Sequence, residues 1–287
     1  MKVKKYMNNF MWNLDNSDNI GKHIIKGELW EPHLLNFISS FVKSGDFCLD
    51  IGACFGWHTL HISRCVGKDG KVFAFEPIQE NIELLSENII DNNITNVTLY
   101  DVALGHKYMN VCMCNANSDT SKNSGDAFIS MKYDIGVEND INNIEYLTNH
   151  GVYLKINKHP VTCKTLDSFT FENKIKFIKL DVQGFERMVI EGAEELIKKD
   201  RPIIAVELED PCMVHYGYSS KELISYIQSL GYYIYFLDFS YPCDHICVPN
   251  EQLADFETQF HGKIHSHSIN NSINNNYNHG IVKKIVL

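Results

Sequence analysis

The stretch "FCLDIGACFGWHT", Phe47 to Thr59, decides the reading of the chain. It begins as an apolar strand, passes an acid (Asp50) and a glycine turn, and runs into a helical pattern. In an open α/β sheet this is where a ligand lies, outside the carboxyl end of a strand, with glycines letting the backbone approach. A dinucleotide site needs G-x-G-x-x-G, with the pyrophosphate at the helix N-terminus. Here the pattern is D-x-G-x-x-x-G, formed by Asp50, Gly52 and Gly56. The third glycine is missing, and an acid at close range would repel a pyrophosphate.

The neighbouring segments fit one architecture. Strand-like "FCLDI", "KVFAFE", "NVTLYDVA", "IKFIKLDV", "PIIAVELE" and "YYIYFLDF" alternate with helical "WHTLHISRCV", "IQENIELLSENIIDNN", "FERMVIEGAEELIKK" and "SSKELISYIQSLG". Such alternation predicts an α/β fold, a parallel sheet with helices on both faces; "HICVP" adds a late edge strand. Upstream, "WEPHLLNFISSFVKSGD" carries an apolar stripe, with Pro32 near its start and Gly45 past its end, which predicts a helix. Residues 1–28 read as a polar N-terminal arm and 29–258 as one domain. Residues 106–165 read as an insertion over the carboxyl edge of the sheet, and 259–287 as a low-complexity tail, disordered apart from its apolar end.

An acid beside the glycine turn attracts a ligand that lacks phosphate and carries positive charge. S-adenosylmethionine, with its sulfonium and ammonium groups, is such a ligand. Glu76 ends the second strand, at a spacing that suits a carboxylate gripping a ribose diol. NAD enzymes share that grip, so Glu76 alone does not choose between cofactors; Asp50 and the glycine spacing do.

Composition removes several classes. The formal net charge of −10 works against a large nucleic-acid footprint. No apolar run reaches the length of a membrane span and no signal-peptide pattern opens the chain, so a cytoplasmic location is expected. Nine scattered cysteines suit a reducing compartment. "CMC" and "CDHIC" (Cys243, His245, Cys247) lack the second ligand pair of a structural zinc site.

Several motifs together, "ELWEPHLLNFI", "LDIGACFGWHTL", "VFAFEPIQENIELLSENI", "NVTLYDVALG", "TLDSF" and "IKLDVQGFERMVIEGA", resemble the FkbM-type methyltransferases in order and spacing, over roughly residues 28–250. The resemblance implies a class I, Rossmann-like fold with a mixed, mostly parallel seven-stranded sheet. It also implies S-adenosylmethionine as cofactor and O-methylation of a sugar, glycan or small polyol hydroxyl. Carried over, Asp50, Gly52, Ala53, Gly56 and Thr59 match the methionine-side loop and Glu76 the ribose ligand. Asp101 and Ala103 match the adenine side, and Glu31 the acid near the cofactor's amino group. The chain departs from the family at Cys54, where Asn is usual, and at Gln183, where Glu is usual.

Methyl transfer to a hydroxyl needs an in-line geometry and somewhere for the proton to go. Asp181, at the end of the fourth strand, is the first candidate base. Glu186, one helical turn on, Glu207, at the end of the fifth strand, and His215, in the loop after it, follow. Glu186 has a plainer reading as a helix-capping acid, His215 one as a surface residue, and His58 reads as packing or surface. A divalent metal, if used, would sit on Asp181 and Glu207. The insertion (about 115–160) and the aromatic strand "YYIYF" are expected to frame a small-molecule or glycan acceptor. Apolar surface on the arm is compatible with a homodimer. Two other readings stay open: a non-catalytic S-adenosylmethionine-binding subunit and a nucleic-acid methyltransferase.

Overall fold

The computed structural model describes residues 1–117, 125, 127–130, 146–147, 153–237, 244–266 and 283–286. In chain order the elements are β1 (Lys2–Met7), β2 (Phe10–Asp15), α1 (Asn19–Lys26), α2 (Pro32–Phe41), β3 (Phe47–Ile51), α3 (Trp57–Val66), β4 (Lys71–Phe75) and α4 (Gln79–Asp91). Next come β5 (Val97–Tyr100), β6 (Ala103–Leu104), β7 (Met109–Asn117), β8 (Phe128–Ser130), β9 (Tyr146–Leu147) and β10 (Tyr153–Lys164). The last part holds β11 (Ile175–Leu180), α5 (Glu186–Glu191), α6 (Glu194–Asp200), β12 (Ile203–Glu207), α7 (Asp210–Met213), α8 (Ser220–Ser229), β13 (Tyr232–Leu237), β14 (Asp244–Pro249), α9 (Leu253–Gln259), β15 (Ile264–Ser266) and β16 (Lys283–Ile285).

The main sheet runs β15-β16-β13-β14-β12-β11-β3-β4-β5. From β12 to β5 every pairing is parallel, and β14 is antiparallel to both its neighbours, β12 and β13. Seven strands with a single reversed one, next to last in spatial order, make the class I methyltransferase arrangement. Both faces of the sheet are buried, as parallel sheets require. Leu49, Ile51, Ile178, Leu180, Ile204 and Val206 pack on one side against α5, α6 and α8. Cys48, Val72, Phe177, Ile203 and Ala205 pack on the other against α2, α3 and α9. This alternation of odd and even positions decides where the polar residues at the strand ends point.

The arm and the insertion add detail to the expectation, whereas the tail and the predicted helix over 185–199 differ from it. The polar arm is ordered. Asn8 and Asn9, with φ of 51° and 66°, form a hairpin turn, and two consecutive left-handed residues are what a two-residue hairpin loop needs. Trp12 of that hairpin is fully buried, with its ring 4.9 Å from that of Trp57. The tail adds β15 and β16 to the main sheet, and Ile285 is fully buried there. The predicted helix over 185–199 is broken into α5 and α6 at Gly192, which lies so close to Gly105 that a Cβ would stand 2.0 Å from the Gly105 carbonyl oxygen. The insertion supplies a second sheet, ordered β6-β10-β7-β8 with β9 on β10. The stretch 118–124 and most of 131–152, part of the expected acceptor frame, lie outside the described residues, as do Cys243 and the tail between 267 and 282.

Candidate active site

An open cavity of about 850 Å³, counting its mouth, lies at the carboxyl ends of β3, β4 and β11. Its floor is the turn from Gly52 to Phe55. Gly52 and Ala53 donate their N–H groups to the Phe75 carbonyl, both at 3.0 Å. Gly52 has φ +81°, and a Cβ there would stand 1.8 Å from the Asp181 carbonyl oxygen. At Gly56, φ +93°, a Cβ would meet Leu85 at 2.2 Å. Gly52 is therefore demanded by close backbone approach, and Gly56 by its left-handed φ.

Glu76 stands on the cavity wall with its carboxylate aimed by three donors. The Cys54 N–H (2.8 Å) binds one oxygen; the Ile78 N–H (2.9 Å) and the Asn81 amide (3.2 Å) bind the other. Burial pushes its carboxyl up to about 7 against these hydrogen bonds. Because Cys54 contributes its backbone N–H, the departure from Asn leaves this contact in place. Ala103 and its neighbour Val102 line the cavity, whereas Asp101 is exposed and lies off the wall.

Asp50 is not on the wall either. Strand alternation turns it toward α3, where it is fully buried and accepts a 2.6 Å hydrogen bond from the Thr59 hydroxyl. Its other oxygen faces Lys179 at 3.9 Å. Thr59 thus serves Asp50 rather than the cavity. Lys179, buried at the end of β11, also donates to Asp181 (3.0 Å) and to the Gly52 carbonyl (3.2 Å). Sequence reading missed Lys179; the available signal was a lysine two residues before Asp181 inside the otherwise apolar run "IKFIKL". Such a residue needs an anion beside it in the core.

Asp181 reaches the cavity with 27% of its side chain exposed. Burial alone would raise its carboxyl, but the Lys179 ammonium and hydrogen bonds from Glu207, Lys179 and Gln183 hold it below the ordinary range. Gln183, itself at φ +54°, donates its amide to Asp181 (3.0 Å) and to Glu207 (2.9 Å). Burial and the Asp181 charge push the Glu207 carboxyl well up. Among the described residues no group of three or more His, Cys, Asp or Glu side chains is arranged to hold a metal.

Glu186 binds the loop that precedes its helix rather than capping the helix itself. It folds back over its own helix start and accepts the Val182 and Gly184 N–H groups at 3.0 and 3.1 Å, away from the cavity. His215 is exposed and stacks on Phe128, off the cavity wall. His58, by contrast, is buried in the wall, with its Nε2 3.3 Å from Glu31 Oε2. Glu31 faces the same space from the start of α2, at φ +44°.

Residues 50–234 match the family model of the methyltransferase FkbM domain. The chain belongs to the FkbM methyltransferase family. No curated protein matches it. Among solved structures it is similar to a protein described as an rRNA methylase from Clostridium thermocellum, at 14% identity and a TM-score of 0.45, over 75% of this chain and 92% of that one. It is also similar to methyltransferase FkbM from Methylobacillus flagellatus KT (11%, 0.44, over 81% and 60%). A third likeness is to SMU.1697c, described as a methyltransferase from Streptococcus mutans and solved with S-adenosylhomocysteine (11%, 0.43, over 75% and 94%). These likenesses are distant, and the assignment rests on the family match and on the strand order. The cofactor of this FkbM methyltransferase is S-adenosylmethionine. Its cavity suits that molecule: an oriented carboxylate in Glu76 for a diol, an apolar slot at Val102 and Ala103, and carboxyls at Glu31 and Asp181 for positive charge. No described helix is long and apolar enough to cross a membrane.

Proposed function

We propose that this FkbM methyltransferase O-methylates a hydroxyl of a sugar, glycan or small polyol. The observation that carries this reading is the Asp181–Gln183–Glu207 set, of which Asp181 and Gln183 line the cofactor cavity. It joins two carboxyl groups, Asp181 held below and Glu207 raised above the ordinary range, through one amide that donates to both. Neighbouring hydroxyls of a polyol both donate and accept, and such a mixed set can satisfy both roles.

The bound cofactor supplies an activated methyl group. Asp181 accepts the hydroxyl proton as the acceptor oxygen attacks, a general-base contribution of about 10²–10⁴ in rate. Lys179 keeps Asp181 ionised for that step. Gln183 and Glu207 fix its orientation. The carboxyls around the site repel phosphorylated acceptors, which agrees with the chain's net charge of −10 and speaks against a nucleic-acid substrate.

The test is transfer of labelled methyl from S-adenosylmethionine to a panel of sugars and polyols, with RNA as a competing acceptor. Asp181→Asn should retain S-adenosylhomocysteine binding and lose about 10²–10⁴ in turnover. Methylation of RNA alone would replace the hydroxyl reading. Tight cofactor binding with no acceptor turned over would favour a non-catalytic binding subunit.

A further inference from the structure

The polar residues around the cavity form one row on the sheet, set by register. Lys179 is the register partner of Asp50 on β3 and of Ala205 on β12, and Glu207 is the partner of Asp244 on β14. Residues two apart share a face. Asp50, Lys179, Asp181, Glu207 and Asp244 therefore point to the same side, the one covered by α2 and α3.

The beginnings of those two helices close over the row. His33 of α2 pairs with Asp244. Glu31, at the start of α2, is repelled by Asp244 and Asp181 and attracted by Lys179. His58 of α3 completes the enclosure. It is nine-tenths buried and lines the cavity, and its Nε2 makes no hydrogen bond within the protein. Glu31 Oε2 lies 3.3 Å from that nitrogen, and burial, Lys179, His61 and His33 all disfavour the charged form of the ring. Asp181 repels Glu186, and Glu209 adds to the repulsion on Glu207.

The charges do not balance. Apart from the His33–Asp244 pair, the carboxyls of Glu31, Asp50, Asp181 and Glu207 share one ammonium among the described residues, that of Lys179. We propose that this chamber trades a proton for the positive charge of the cofactor: Glu31 releases a proton as the sulfonium form binds, and the carboxyl row regains one when the methyl group leaves.

The exchange conserves charge through the reaction, and it rests on the reading of the acceptor as a protonated hydroxyl. As the oxygen–carbon bond forms, the carbon–sulfur bond breaks, and sulfur keeps the electron pair and loses its positive charge. The acceptor proton passes to Asp181 and stays in the row. S-adenosylhomocysteine then sits in a chamber that has recovered its proton. The same groups therefore make the site prefer the charged cofactor over the neutral product as pH rises.

Calorimetry on the full chain tests this directly. S-adenosylmethionine and S-adenosylhomocysteine are each titrated in phosphate and in imidazole at about pH 6.5, below the ordinary α-amino pKa of about 7.7–8.0. The dependence of the heat on buffer ionisation enthalpy counts the protons exchanged. The expected result is that the methionine form releases about half a proton to one proton more per site than the homocysteine form. Its relative affinity should then rise with pH by up to about tenfold per unit. Equal proton counts for the two ligands would overturn the proposal. Glu31→Gln should weaken the methionine form more than the homocysteine form and collapse the difference in proton count; a full difference in that variant would also overturn it. The wild-type comparison decides the matter even if the variant fails to fold. Because binding is read rather than turnover, failure of the hydroxyl reading would show separately, as a proton difference without any sugar or polyol methylated.

Discussion

Lys179→Met removes the ammonium of Lys179 from the row and leaves an unbranched apolar side chain one atom shorter. The wild-type Nζ lies 3.0 Å from Asp181, 3.2 Å from the Gly52 carbonyl and 3.9 Å from Asp50. At an effective dielectric of about 20, two such ion pairs represent about 4–6 kcal/mol of attraction each, most of it offset by the cost of burying the charges. Deletion is not offset in that way. Asp50 is fully buried, and one of its oxygens has no hydrogen-bond donor, so its charge would be left with only Thr59. Removing one partner of a buried pair costs about 3–5 kcal/mol. In urea, followed by tryptophan fluorescence, that loss lowers the unfolding midpoint by about 1–2 M.

The deficit should also depend on pH. Without the lysine the folded-state pKa values of Asp50 and Asp181 rise, so the folded variant holds protons that the unfolded chain has already released. Its stability relative to wild type then falls as pH climbs from about 4 toward 7, and the deficit shrinks again in acid, where both carboxyls are neutral. A variant within about 1 kcal/mol of wild type at neutral pH, or one with the same deficit at every pH, would refute the assignment of Lys179 as the counter-charge.

Three further outcomes are expected. Glu76→Gln should weaken S-adenosylhomocysteine by about 1.5–3 kcal/mol in calorimetry, the worth of hydrogen bonds to a charged group, and unchanged affinity would remove Glu76 from the cofactor site. Glu76 and Glu186 are both pushed up to about 7 by burial, so the ligand-free folded state binds protons more tightly than the unfolded chain. Stability should fall as pH rises from about 4.5 to 7, by up to about 3 kcal/mol per group, and a curve rising with pH across that window would contradict both assignments. Deleting 263–287 removes the buried Ile285 and the Lys283–Glu257 pair at the far edge of the sheet. The melting temperature should drop by about 5–15 °C with cofactor affinity retained.

The parts of this protein that could be read in its sequence are those whose signal is local. The glycine turn, the acid at the end of the second strand and the strand–helix alternation each lie within a few residues of what they determine. The packing of the arm was not legible because its code is short: nothing in two asparagines at 8–9 and the strand "FMWNLD" states that Trp12 packs against Trp57. The site itself is written across strands. Asp50 and Lys179 are 129 positions apart in the chain and neighbours in the sheet, and nothing in either segment states that register. An acid before the glycines suggested direct attraction of a cationic ligand. Alternation instead sends Asp50 beneath the loop, where it holds Lys179, and Lys179 in turn reaches the Gly52 carbonyl and Asp181. Charge near the cofactor is thus set by a buried relay from Asp50 through Lys179 to Asp181. The same register explains why Glu207 and Asp244 join that row while Glu186 and His215, close to them in sequence, do not. Glu186 belongs to a helix start that bends back on the loop, and His215 follows the turn of α7 out to the surface. In an α/β sheet, sequence distance from a strand end is therefore a poor guide to the active site. Parity along the strand, combined with the register of its neighbours, is the better one.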